Sequence, residues 1–187
     1  SNNTNQLAIV AADGESCQIM IYSLVDDTKQ LIGSCQIIND SKILSWSADD
    51  TKIYFVDLEN QFNTNAIWEI EIASQNTKQI TFPSSSDLFD SNPNLSPNGQ
   101  LLSFNRGNHS VQNIYIKNLI LTNSDIINLS NDQNYSVSHH WFDDENIIYD
   151  SDKTGDRKLW MQNIETKENH LLGARGAQFP SYSDSTK

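Results

Sequence analysis

Basic residues are scarce in this 187-residue chain: 12 Lys and Arg stand against 24 Asp and Glu, a net charge of −12. A surface of that sign repels phosphate backbones, which argues against direct DNA or RNA binding by this domain. The acidity is spread along the chain and not gathered in one block, as expected of a charge that keeps a domain soluble. Long apolar runs are also missing. None approaches the roughly 18 residues that a membrane-spanning helix requires, so contact with a membrane is expected only through segments outside this sequence. There is no basic-then-apolar start, and the opening Ser1–Gln6 reads as a polar tail or cloning remnant. Cysteine is limited to Cys17 and Cys35, 18 positions apart, with no C-x-x-C spacing for a metal or redox site. Two buried thiols or one disulfide both fit. The disulfide is the favoured reading; it would close a loop worth about 3 kcal/mol and would point to an extracytoplasmic compartment.

Motifs of common catalytic sites are absent: no G-x-S-x-G, no H-E-x-x-H, no Walker loop and no dinucleotide fingerprint. A non-catalytic protein without a cofactor is therefore expected.

What the chain does contain is a repeat. It is clearest around Asn92-Pro93-Asn94-Leu95-Ser96-Pro97-Asn98-Gly99-Gln100-Leu101-Leu102-Ser103-Phe104, which reads as strand, tight turn, strand. Pro pre-sets φ early in such a turn, and Asn and Gly tolerate the positive φ near its end. Three registers recur. Ile19-Met20, Ile67-Trp68, Ile114-Tyr115 and Leu159-Trp160 are spaced by 48, 47 and 45 residues. Apolar strands beginning at Leu7, Ile53, Leu101 and Ile147 are spaced by 46, 48 and 46. Trp46-Ser47, Leu95-Ser96, Trp141-Phe142 and Tyr182-Ser183 mark the strand entering each turn.

Each unit thus holds four short strands, a to d, rich in β-branched and aromatic residues, with almost no helix. Strand d is the short polar-flanked segment at Lys29-Gln30-Leu31, Lys78-Gln79-Ile80 and Ile126-Ile127-Asn128-Leu129. A four-stranded unit of about 45 residues, repeated, predicts an all-β β-propeller over residues 7–187. The units fall at about 7–42, 43–90, 91–136 and 137–177, with 178–187 a final strand a that would complete the first blade. Three arrangements remain open: a closed four-bladed ring, part of a larger propeller, or two copies sharing one ring as a homodimer.

Several residue groups have side chains of the types that carry chemistry. His139-His140 alternate faces on a strand and do not converge, while His109 and His170 fall in loop and strand-d positions. The carboxylate clusters Asp26-Asp27, Asp49-Asp50 and Asp143-Asp144-Glu145 sit where the repeat needs tight turns, which Asp favours. Trp46, Trp68, Trp141 and Trp160 occupy equivalent positions, as packing between blades requires. The connection from Phe82 to Asn92 is a candidate recognition loop, with Phe82, Leu88 and Phe89 as its apolar contacts.

The turn at Pro93, Ser96, Pro97, Asn98 and Gly99, the segment Ser151-Asp152 with Gly155 before Leu159-Trp160, and Ile80-Thr81 and Leu129-Ser130 together resemble the TolB-type, or PD40, relative of the WD40 repeat. Trp46-Ser47-Ala48-Asp49-Asp50 keeps Trp-Ser but lacks the Pro and Gly of that pattern, and Trp141-Phe142-Asp143-Asp144 keeps only the aromatic. The resemblance implies a scaffold that hosts several roles. They include periplasmic TolB-like scaffolds, accessory propellers of prolyl oligopeptidase-like peptidases and oligogalacturonate lyases, and periplasmic parts of membrane-anchored winged-helix regulators similar to CadC and ToxR. With a cysteine pair early in the propeller, the last group is the favoured expectation. It implies a periplasmic sensory domain that binds a protein, peptide or small molecule at a loop-lined face.

Overall fold

The computed structural model describes residues 5–13, 16–36, 44–121, 124–173, 176–178 and 180. They form four sheets and, among the described residues, no helix. The first sheet holds β1 (Gln6–Asp13), β2 (Ser16–Ser23) and β3 (Thr28–Gln36). The second holds β4 (Leu44–Trp46), β5 (Lys52–Leu58), β6 (Asn65–Glu71) and β7 (Thr77–Gln79). The third holds β8 (Phe89–Leu95), β9 (Leu101–Gly107), β10 (Gln112–Asn118) and β11 (Ile127–Asn128). The fourth holds β12 (Ser136–Trp141), β13 (Asn146–Ser151), β14 (Lys158–Asn163) and β15 (Asn169–Leu171).

Within every sheet the strands lie in chain order, the meander of a propeller blade. The chain is an all-β protein of β-propeller blades. The first blade shows strands b, c and d; the strand a expected at Tyr182-Ser183 lies outside the described residues. The expected tail through Gln6 is shorter than read, because β1 begins at Gln6 and the Asn5 carbonyl accepts a hydrogen bond from the Leu24 N–H at 2.7 Å.

The chain divides into two compact units, residues 1–93 and 94–187, with the boundary inside β8. In the first, Cys17, Ile19, Ile21, Ile32 and Cys35 of one sheet pack on Ile53, Phe55 and Ile70 of the next. Gly33 permits this close approach, since a Cβ there would meet Ile70 Cδ1 at 2.8 Å. In the second, Ile114, Ile116 and Leu129 pack on Trp141, Ile147 and Tyr149. Trp141 is buried, whereas Trp46, Trp68 and Trp160 are half-buried against these clusters.

Two hydrogen-bond devices explain the repeat. In the a–b turn, Ser96 Oγ donates to Asn98 Oδ1 (2.8 Å), which also accepts the Gln100 N–H (2.9 Å), while Ser96 Oγ accepts the Leu101 N–H (3.0 Å). Ser47, Asp49, Thr51 and Lys52 make the same three bonds at 2.6, 3.1 and 2.9 Å. Asp50 (φ 57°) stands where Gly99 (φ 72°) does, so the turn forms without Pro or Gly. In the fourth blade the turn is one residue shorter, and Asp143 Oδ1 takes the Glu145 and Asn146 N–H groups. The second device ends strand d: the Thr81 hydroxyl accepts the Ile67 N–H (2.8 Å), and the Ser130 hydroxyl accepts the Ile114 N–H (3.0 Å). This is the physical content of the Leu-Thr-like pair.

The turn bonds correct one register. Lys52 is equivalent to Leu101, so Ile53 aligns with Leu102, and with Ile147 in the fourth blade; all three are fully buried. Leu102→Ala is therefore expected to cost about 2–5 kcal/mol, like Ile53→Ala and Ile147→Ala. Leu101→Ala, at a half-buried position, is expected to cost less than half of that. Urea denaturation of the four variants checks the alignment.

Candidate binding groove

The first unit holds an open groove of about 520 Å³ between β3 and the β5–β6 end of the next blade. Ser34, Cys35 and Gln36 form one wall. Asp57, Leu58, Glu59, Asn60, Asn63 and Trp68 form the other. Such volumes suit small ligands. Strand alternation puts Phe55 and Asp57 on one face of β5, and Phe55 pairs directly with Trp68 on β6, so all three look toward the first blade.

Asp57 Oδ1 accepts the Gln36 N–H and the Leu58 N–H, both at 2.8 Å, which ties β3 to β5. Burial pushes its carboxyl above the usual range, and these two bonds oppose the shift. Glu59 is buried and holds the turn that follows β5, accepting the Gln61 N–H at 2.8 Å and the Phe62 N–H. Among the described residues no Lys or Arg lines the groove. The Trp68 indole N–H is buried without a partner among the described residues.

The wall of the groove is stapled. Cys17 and Cys35 are directly opposed on β2 and β3, with Cα atoms 4.9 Å apart, and are joined by a disulfide.

In the second unit the same kind of aromatic pair is already covered. Tyr149 pairs with Trp160, and Lys153 Nζ lies 3.9 Å from the Trp160 ring centre and 5.1 Å from that of Tyr149. Lys153 Nζ also donates to Tyr149 Oη (2.8 Å) and Asn169 Oδ1 (3.1 Å). Desolvation lowers its pKa to about 8, with Asp132 opposing. Phe104 stacks on Tyr115, centroids 5.9 Å apart, and the Arg106 guanidinium lies 5.3 and 5.6 Å from the two rings.

The other groups read as candidate chemistry stay apart. A positive φ at Ser138 and a register shift between Val137 and His140 put a bulge before the histidine pair. His139 is buried and His140 half-buried; Asn94 Nδ2 donates to the His139 carbonyl at 3.1 Å. His109 and His170 are exposed. Among the described residues no three His, Cys, Asp or Glu side chains come together as a metal site. The acid clusters lie in turns: Asp27 and Asp50 have positive φ, and Asp144 Oδ1 accepts the Asn98 N–H at 2.8 Å. Of the recognition-loop residues, Phe82 is 65% exposed, but Leu88 and Phe89 are half-buried. The Thr64 hydroxyl holds the Leu88 carbonyl at 2.9 Å, and Phe89 already belongs to β8, so the loop is shorter than its sequence suggests.

No protein-family model and no curated protein matches the chain by sequence. Solved structures do resemble it. TolB from Acinetobacter baumannii aligns with a TM-score of 0.71 and 19% identity, over 90% of this chain and 41% of that one. A putative TolB from Agrobacterium tumefaciens gives 0.70 and 14%, over 94% and 65%. An oligogalacturonate lyase from Vibrio parahaemolyticus gives 0.61 and 16%, over 88% and 49%. The chain spans less than two thirds of each. At these identities the likeness is one of fold, the TolB-like propeller.

Two outcomes test the geometry. Replacing Cys17 and Cys35 together by Ala is expected to cost about 3 kcal/mol in urea denaturation, and peptide mapping of the unreduced protein should recover the linked pair. Because Lys153 titrates near 8 in the folded chain and near 10.4 when unfolded, the unfolded chain binds more protons between those values. Stability should therefore rise from pH 8 to about 9.5. Lys153→Met should flatten that rise, as read from urea midpoints at fixed ionic strength.

Proposed function

We propose that this chain is a non-catalytic binding module, the extracytoplasmic sensory or interaction part of a larger protein such as a membrane-anchored winged-helix regulator. The observation that carries the binding reading is the groove beside Trp68. Among the described residues its side-chain amides at Gln36, Asn60 and Asn63 make no hydrogen bond, and its shape is held by Asp57 and the adjacent disulfide. Polar groups left uncommitted in a concave, braced site are what a partner can use. The disulfide supports an oxidising compartment. Phe82 offers a separate exposed apolar contact for a protein partner. In a regulator, ligand binding would bias an equilibrium between two states of the larger molecule.

A free-standing TolB-like scaffold is the second reading, favoured by the similarity to the two TolB structures. An accessory propeller of a lyase or peptidase is the third. For a lyase acting on a polyanion, the groove has the wrong sign, with Asp57 and Glu59 in its wall and no cation among the described residues.

An immunoblot of fractionated native cells, with antibody against this domain, separates the readings. A membrane-bound band well above 21.1 kDa is expected for the anchored regulator. A soluble periplasmic band overturns it, favouring the scaffold when near that mass and an enzyme's accessory domain when far above it.

A further inference from the structure

Aligned by their turns and strand pairings, the last three blades carry the same cross-strand aromatic pair: Phe55–Trp68, Phe104–Tyr115 and Tyr149–Trp160. In two of them the chain places its own cation on the rings. Arg106, two positions after Phe104, covers the third blade's pair, and Lys153, four positions after Tyr149, covers the fourth's. In the second blade the residues two and four positions after Phe55 are Asp57 and Glu59. Both are acids, and the groove opens there. The sequence therefore substitutes anions for the cation at the one pair of the three that borders the groove.

We propose that this groove recognises a single ammonium or guanidinium group, seated on Trp68 and paired with Asp57, in the place that Arg106 and Lys153 fill in the other blades. The attraction has two parts. An aromatic face draws a cation through its quadrupole, and a carboxylate adds a charge-assisted hydrogen bond. Asp57 Oδ1 is committed to backbone N–H groups, which leaves Oδ2 for the incoming group. Glu59 spends both oxygens on its own turn, so it contributes charge and not a direct bond. The indole N–H is not part of the recognition: Trp160 Nε1 is likewise buried without a partner where Lys153 already sits on the ring. The groove's volume exceeds one ammonium and admits a whole residue, with Gln36, Asn60 and Asn63 placed to bond a peptide backbone. The cation thus comes from a Lys or Arg side chain of a peptide partner or from a small free amine. This inference deepens the binding reading above but can fail independently of it, since cell fractionation reports the compartment and a titration reports the groove.

The test follows the four tryptophan indole N–H signals in ¹H–¹⁵N spectra, with Trp68 assigned through Trp68→Phe. Nα-acetyl-lysine methylamide, Nα-acetyl-arginine methylamide and n-butylammonium chloride are titrated beside the neutral norleucine and citrulline analogues. A saturable shift at Trp68 with the cations only, and none at Trp160, is expected. Asp57→Asn keeps an accepting oxygen for the backbone and is expected to weaken binding about ten-fold. Asp57→Arg, supplying the cation from the chain as Arg106 does, is expected to abolish the response while the remaining amide spectrum stays dispersed. Tighter binding of the acetylated residues than of n-butylammonium assigns a peptide source, and equal binding a small amine. No saturable shift at Trp68, an equal shift with the neutral analogues, or undiminished binding in Asp57→Asn overturns the proposal.

Discussion

Everything in this fold follows from a sheet having two faces and four short strands being unable to bury either alone. Each blade must lend its apolar face to a neighbour. Within the first unit Cys17, Ile19 and Ile21 do so against Ile53, Phe55 and Ile70, and within the second Ile114 and Ile116 do so against Trp141 and Tyr149. Sheet-to-sheet burial is non-directional, so it tolerates exchange among Ile, Leu and aromatic residues. That tolerance is why the repeat keeps its period while its individual letters drift.

Direction comes from the turns. The Ser-x-Asn/Asp unit at Ser96–Asn98 and Ser47–Asp49 satisfies backbone donors that strand ends leave over, and a hydroxyl at Thr81 or Ser130 does the same inside the sheet. These side chains fix where a strand may stop. The apolar residues between them need only be apolar.

Most of the architecture was accordingly legible in the sequence, because strands b and c carry both a period and a composition. The register of strand b was off by one at the third blade, where Leu101 and Leu102 are both apolar and only the hydrogen bonds of the turn decide between them. The connection after Phe82 looked longer than it is, since Phe89-Asp90-Ser91-Asn92 has a loop-like composition yet pairs as the start of β8. The groove was not legible from any motif. Asp57 and Glu59 look like ordinary surface acids until strand pairing reveals that Arg106 and Lys153 hold the related places. The usable signal was a change of sign between repeats, visible only once the blades are aligned through Phe55, Phe104 and Tyr149.

The chain-borne cations on two blades also bear on how such a protein can change over generations. If the groove holds a cation as proposed, a repeat with a built-in plug is a dormant receptor, in which removing one side chain would free an aromatic seat that the surrounding blade has already shaped. Gaining or losing specificity then takes one codon, with the hydrophobic seams between sheets left alone. Duplicated blades can in this way diverge in what they hold long before they diverge in how they fold.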